Sequence, residues 1–181
     1  MRYIVFDRDG TLIKHKRYLH KPEDIELVPG SRDIVLSFLK KGYLLFLHTN
    51  QSGVSRGYFK IEDVKKCNEQ MIRLLDINSK IFEDICIACD YPPGLDSYRK
   101  PSTKYGLELM KKYGIESNQL IYIGDNTSDL ETAYKLNCKG YGICLDKKNG
   151  FLDKNIVTKK FNFTIHDSLS EIKNEIIKND N

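Results

Sequence analysis

The 181-residue chain has no apolar run of membrane-spanning length, no internal repeat, no long linker and no dense block of charge of one sign. Each absence closes off a class. Without a long apolar run a membrane span is not expected. With an apolar run starting two residues after Met1, neither is a signal peptide, so a cytoplasmic protein is expected. The 29 Lys and Arg and 25 Asp and Glu are interspersed and leave a net charge of +4, so a nucleic-acid partner is not expected. The five cysteines, Cys67, Cys86, Cys89, Cys138 and Cys144, are odd in number and read as reduced thiols rather than disulfides. Without a linker the chain reads as one domain, 1–181; a monomer is expected.

What is present begins with Tyr3-Ile-Val-Phe-Asp-Arg-Asp-Gly-Thr-Leu-Ile13. Tyr3 to Phe6 is a short apolar run with polar limits, which predicts a buried strand. Asp7 and Asp9 follow it, two carboxylates two residues apart with Gly10 behind them. Such a pair at a strand's carboxyl end stands where ligands bind in open α/β sheets. One carboxylate can attack phosphorus, and a second can give and take the proton of the leaving oxygen. Two adjacent carboxylates repel, and their hard oxygen ligands suit Mg²⁺.

Further along, strand and helix patterns alternate. A polar stretch, 11–24, reads as a surface flap. A helix is predicted from Ser31, with Ser31 as N-cap and Ile34, Val35, Phe38 and Leu39 on its apolar face. Tyr43 to Leu47, Ile81 to Ala88, Leu120 to Ile123 and Lys139 to Cys144 read as strands, and Phe161 to Ile165 as an edge strand. Helices are predicted over 61–75, from Ser102 or Thr103 to Tyr113, over 130–136 and over 168–178, and residues 145–160 as a connection. The alternation predicts an α/β fold, a Rossmann-like parallel sheet with helices on both faces.

In a parallel sheet four strand ends share one edge. They carry Asp7 and Asp9; Thr49, whose hydroxyl and neighbouring N–H groups suit a phosphate oxygen; Lys100, a compact positive charge; and Asp125 with Asp129. A nucleophile, a cation site and fixed positive charge are what phosphoryl transfer needs.

Asp7-Arg-Asp-Gly-Thr-Leu, Thr49-Asn-Gln-Ser-Gly, Arg99-Lys-Pro and Gly124-Asp-Asn-Thr-Ser-Asp129 resemble the four motifs of the haloacid dehalogenase superfamily of phosphatases. His20-Lys-Pro-Glu-Asp-Ile, Thr49 to Phe59 and Tyr98-Arg-Lys-Pro further resemble the D,D-heptose 1,7-bisphosphate phosphatase branch, close to the histidinol-phosphate phosphatases. The resemblance implies Asp7 as nucleophile and Asp9 as general acid and base. It implies Mg²⁺ on Asp7, Asp125 and the backbone carbonyl of Asp9, with Asp129 in support. Lys100, catalytic, and Thr49 would hold the phosphoryl group, while Asn50, Gln51, Ser52, Arg56 and Arg99 would line the substrate side. No separate cap domain is implied, and the substrate is a small phosphorylated metabolite.

The chain departs from the resemblance in the loop before Arg99. Asp90, Asp96 and Tyr98 stand where zinc ligands would be, so zinc is expected to be absent. Asn126 stands where a lysine is usual. Histidinol-phosphate hydrolysis and removal of a 3′-phosphate from nucleic acid are the alternative activities. A non-catalytic binding module on the same scaffold is the alternative of another class, disfavoured because Asp7 and Asp9 are both present. His48 and His20 read as packing or rim residues, with His20 a weaker substrate candidate.

Overall fold

The computed structural model describes residues 2–146 and 150–180. Six strands form one parallel sheet: β1 (Tyr3–Phe6), β2 (Leu44–Asn50), β3 (Asp84–Ala88), β4 (Leu120–Gly124), β5 (Lys139–Ile143) and β6 (Thr164–His166). Their order is β3-β2-β1-β4-β5-β6, so β1 is central and the chain reverses direction across the sheet on either side of it. Among the described residues five α-helices cover the faces: α1 (Ser31–Lys40), α2 (Ile61–Leu75), α3 (Lys104–Tyr113), α4 (Thr127–Lys135) and α5 (Leu169–Asn179). The predicted α/β class with a flanked parallel sheet is the observed one.

The central strand shows why. Side chains alternate across a strand, and here both sides are apolar. Ile4 and Phe6 join one core with Ile34, Val35 and Phe38 of α1, Met71 of α2 and Ile172 of α5. Tyr3 and Val5 join the opposite core with Tyr105 and Leu109 of α3 and Ala133 of α4. A strand buried on both faces reads as a continuous apolar run, the expected signature of a parallel sheet.

Several boundaries differ from the sequence reading. Ser31 is the first helical residue rather than the N-cap. Gly30 takes that position with φ of 89°, and the Ser31 hydroxyl donates to the Leu12 carbonyl at 2.7 Å. The 11–24 segment lies at the surface from Lys14 onward except at Leu19, but it is anchored: Thr11, Leu12, Ile13 and Leu19 are buried and Ile13 bridges Leu27. The polar residues between them hid these anchors. Ile81 and Phe82 are buried but precede β3. Helix α4 starts at Thr127, three residues earlier than expected, because Asn126 caps it by accepting from Ser128 N at 3.0 Å. The edge strand is shorter than predicted, Thr164–His166. Of the 145–160 connection, residues 147–149 lie outside the described residues, and Ile156–Lys160 forms one π-type turn. Among the described residues no helix is long and apolar enough to cross a membrane.

Candidate active site

Register builds the site. Phe6 stands level with Leu47 and with Ile123. The next residues, Asp7, His48 and Gly124, therefore emerge side by side, with Thr49 and Asp125 one step beyond. Asp7 N donates to the Ile123 carbonyl at 2.9 Å, which fixes the first carboxylate against β4. Carboxylate oxygens of Asp7, Asp125 and Asp129 lie within 4.8 Å of one another.

Glycine makes this closeness possible. Gly10 has φ of 83°, and a Cβ there would stand 2.0 Å from Asp125 Oδ2. At Gly124 a Cβ would stand 2.2 Å from Asp129 Oδ2. Helix α4 contributes Asp129, whose Oδ2 accepts from Asn126 N at 3.0 Å.

Lys100 arrives from the loop after β3 and is buried. Its Nζ lies 2.6 Å from each of Asp7 Oδ1, Asp129 Oδ1 and the His48 carbonyl. Burial alone favours the neutral amine. The charges of Asp129 and Asp7, with the hydrogen bonds they accept, outweigh it and hold Lys100 above the ordinary lysine range. Burial pushes the Asp7 carboxyl up to about 7 against the pull of Lys100, with repulsion from Asp129 and Asp9 adding to the rise. Asp125 is pushed well up by burial and by repulsion from Asp7 and Asp129. Three carboxylates share one ammonium, an excess of negative charge that a bound cation would offset. All three offer oxygen, the donor type of Mg²⁺ rather than of zinc.

Asp9 lines the same cleft but is held by a separate set of partners. Arg8, fully buried, donates from Nε to Asp9 Oδ2 at 3.0 Å and from Nη2 to Asp9 Oδ1 at 3.1 Å, and its Nη1 reaches Asn68 Oδ1 of α2 at 2.9 Å. Gln51 Nε2 donates to the same Asp9 Oδ2 at 2.9 Å and to Thr49 Oγ1 at 2.8 Å, and Thr49 Oγ1 donates to Asp9 Oδ2 at 3.3 Å. Gln51 is thus largely buried against Asp9 while lining the cavity beside Asn50 and Arg99.

Asn50 lines the cleft and is tied to the Lys100 backbone. Its side-chain Nδ2 donates to the Lys100 carbonyl at 3.2 Å, and its Oδ1 accepts from Lys100 N at 3.0 Å. The amide therefore clamps the backbone of the one lysine that neutralises Asp7. Asn50→Ala should unpair both groups, at about 1–3 kcal/mol, and lower kcat more than it raises KM. Steady-state kinetics beside thermal unfolding checks this, and unchanged kcat would contradict the clamp.

The outer residues diverge. Arg99 lines the cleft, and among the described residues its buried Nη1 has no hydrogen-bond partner. Arg56 lies further out, 3.6 Å from the centroid of the Tyr91 ring. Ser52 uses its carbonyl to accept from Arg56 N at 3.2 Å. His48 is fully buried, its Nε2 paired with the Tyr98 carbonyl at 2.9 Å and its ring 4.9 Å from Tyr105. Burial holds the imidazole well below its usual pKa, so Nε2 carries the proton and donates. His20 stacks on Phe59 at 5.3 Å. Arg8 and Asn68 brace Asp9, and His15 and Phe151 stand at the rim of the cleft, although no local pattern distinguishes them in the sequence. A guanidinium between two aspartates, for instance, reads as an ordinary loop charge.

Fold and site together define a phosphatase of the haloacid dehalogenase type. The chain matches the family described as polynucleotide kinase 3 phosphatase over residues 2–168. It is 34% identical over 128 residues to a D-glycero-alpha-D-manno-heptose-1,7-bisphosphate 7-phosphatase of Campylobacter jejuni, covering 71% of this chain and 73% of the relative. It is 34% identical over 137 residues to a D-glycero-beta-D-manno-heptose-1,7-bisphosphate 7-phosphatase of Haemophilus ducreyi, covering 72% and 75%. A crystal structure of a D,D-heptose 1,7-bisphosphate phosphatase from B. bronchiseptica, complexed with magnesium and phosphate, superposes with a TM-score of 0.81 over 99% of each chain at 19% identity. The chain belongs to the haloacid dehalogenase superfamily of phosphatases, in the family that these heptose-bisphosphate phosphatases share.

Proposed function

We propose that the protein is a Mg²⁺-dependent phosphomonoesterase that removes the 7-phosphate of a D-glycero-D-manno-heptose 1,7-bisphosphate through an aspartyl-phosphate at Asp7. The observation that carries it is the Lys100 ammonium 2.6 Å from Asp7 Oδ1 beside the Asp7, Asp125 and Asp129 cluster. The heptose assignment is supported by the relatives. The buried Arg99 Nη1, unpaired among the described residues, also leaves a donor for a second anionic group of the substrate.

In the first half-reaction an Asp7 oxygen bonds to phosphorus, the bond from phosphorus to the sugar oxygen breaks, and Asp9 gives its proton to that oxygen. In the second, Asp9 takes a proton from water, the water oxygen bonds to phosphorus, and the bond to Asp7 breaks to release phosphate. Lys100 holds positive charge against Asp7 and the phosphoryl oxygens throughout, and Thr49 supports the Asp9 carboxylate. Mg²⁺, held by Asp7, Asp125 and the Asp9 carbonyl with Asp129 behind them, would supply charge neutralisation for the phosphoryl group. Asn50 and Gln51 serve by positioning Lys100 and Asp9. Ser52, Arg56 and Arg99 form the substrate side.

If the acidic cluster is the cation site, Mg²⁺ at about a hundred times its Kd should stabilise the protein by about 2.7 kcal/mol. That is roughly 5–11 °C in a chain of this size. Asp125→Asn should lose most of the shift. A thermal scan with and without chelator reads it, and an equal shift in the variant would contradict the site. The reading assigns no zinc. Cys86 is pushed up to about 12, chiefly by burial, and Ser97 Oγ is bonded to Asp90 in the loop where further ligands would stand. One equivalent of zinc by elemental analysis would contradict it.

One observation favours a second reading. Folding gathers Arg17, Tyr18, Tyr58, Arg56 and Tyr91 beside the cleft, with the Tyr18 and Tyr58 rings 4.6 Å apart. Alternating aromatic and cationic side chains suit the end of a single strand. Phosphate release from the heptose bisphosphate, histidinol phosphate and a 3′-phosphorylated oligonucleotide decides. The proposal expects the first to be preferred, and a preference for either of the others overturns it.

A further inference from the structure

Phe151 is held at the mouth of the site although it is an aromatic residue left half exposed. Its carbonyl accepts from Thr127 N at 3.3 Å and from Thr127 Oγ1 at 3.2 Å, and Asp153 N donates to that same hydroxyl at 2.7 Å. Phe151 also bridges Asn126. The ring is therefore tied to the first turn of α4, which carries Asp129. Across from it stands His15, on the loop that carries Asp9. That loop is closed by Gly10 N to the Ile13 carbonyl at 2.7 Å and by Lys14 N to the Glu26 carbonyl at 2.8 Å.

The two rings meet with centroids 4.7 Å apart, tilted by 54°. They join the loops that hold the two ends of the acidic cluster. Three cavities, of about 500, 310 and 470 Å³, are each lined by both rings. The first holds Asp7, Asp125 and Lys100, the third opens past Asn50 and Arg99, and the second lies behind the pair beside Asp125 and Cys144. Phe151 belongs to none of the apolar clusters among the described residues. Among the described residues the ring packs on His15 and joins no core, and the three cavities leave its remaining surface open to a ligand.

We propose that His15 and Phe151 form the wall that selects the leaving group, packing their ring faces against the carbon skeleton of the alcohol from which phosphate is cut. This rests on the phosphomonoesterase reading and adds the part of the substrate that the wall touches. Aromatic faces take up the C–H face of a sugar ring by burying it, while the hydroxyls stay at the polar rim. A leaving group too small to reach the rings gains nothing from them.

The test compares the unaltered protein with Phe151→Ala, His15→Ala and Phe151→Tyr on two kinds of substrate. One is a panel of phosphomonoesters that includes the heptose bisphosphate, glucose 6-phosphate and histidinol phosphate. The other is acetyl phosphate, whose leaving group is acetate. The ratio of kcat/KM for whichever ester ranks best to that for acetyl phosphate should fall about tenfold or more in each alanine variant, equivalent to about 1.4 kcal/mol. The fall should come mainly from KM. Acetyl phosphate turnover should stay within about twofold, and Phe151→Tyr should keep the ratio. An unchanged ratio in both alanine variants overturns the wall. A parallel loss on both substrates, which a merely structural role would give, also overturns it. The identity of the best ester judges the heptose reading separately, so either can fail alone.

Discussion

Asp7→Asn is expected to lower kcat by about 10⁴-fold or more, the scale seen when a covalent nucleophile is removed, while the fold survives. The side chain keeps its shape, and its amide oxygen can still accept from Lys100 Nζ, now 2.6 Å from Asp7 Oδ1. What is lost is the nucleophilic charge. The substitution also takes one negative charge out of a crowded group, since Asp129 and Asp9 both repel the Asp7 carboxylate. Stability should therefore hold or rise while turnover disappears. Circular dichroism and thermal unfolding beside phosphate release measure both halves. A variant that keeps most of its activity would remove Asp7 from the chemistry, and one that unfolds would show that its charge is structural.

Lys100→Met should do the opposite to stability. Methionine fills much of the volume of the lysine stem but leaves Asp7 and Asp129 facing each other with no counter-charge. Removing one partner of a buried pair costs about 3–5 kcal/mol, roughly 6–20 °C in a chain of this size. Lys135→Met is the control: its exposed pair with Glu131 at 2.8 Å should change stability by only about 0.5 kcal/mol. Mg²⁺ should return part of the loss in Lys100→Met, because a cation can stand in for the missing ammonium near the same oxygens. Activity should not return with it, since the metal does not supply the donor held between Asp7 and the His48 carbonyl. Equal melting temperatures for Lys100→Met and the unaltered protein would contradict a buried ion triad.

The strands and their carboxyl ends were legible in the sequence because a parallel sheet writes itself in continuous apolar runs. Tyr3–Phe6 and Leu120–Gly124 are buried along their whole length, so their ends, and with them Asp7 and Asp125, could be located. The gathering of Asp7, Asp125 and Lys100 was legible because a parallel sheet puts the ends of its strands on one edge. Side-chain direction was not. Asn50 and Gln51 follow Thr49 as polar residues at a strand end, which suggested a substrate-facing row. Both residues line the cavities there, and folding also ties Asn50 to the Lys100 backbone and Gln51 to Asp9. Arg8 was unreadable for a related reason: the partner that explains its burial, Asn68, is on α2. The His15 and Phe151 pair comes from opposite ends of the chain, and only the docking of the 150–153 backbone on Thr127 brings it together.

The central claim is that phosphate passes through a covalent bond to Asp7. The most direct test is to quench the protein in acid during turnover, reduce it with borohydride, and sequence the peptide that spans residues 2–14. An aspartyl-phosphate is reduced to homoserine, so homoserine should appear at position 7 in the presence of substrate and Mg²⁺, and be missing without substrate. Turnover with aspartate unchanged at position 7, or homoserine at another position, would contradict the account.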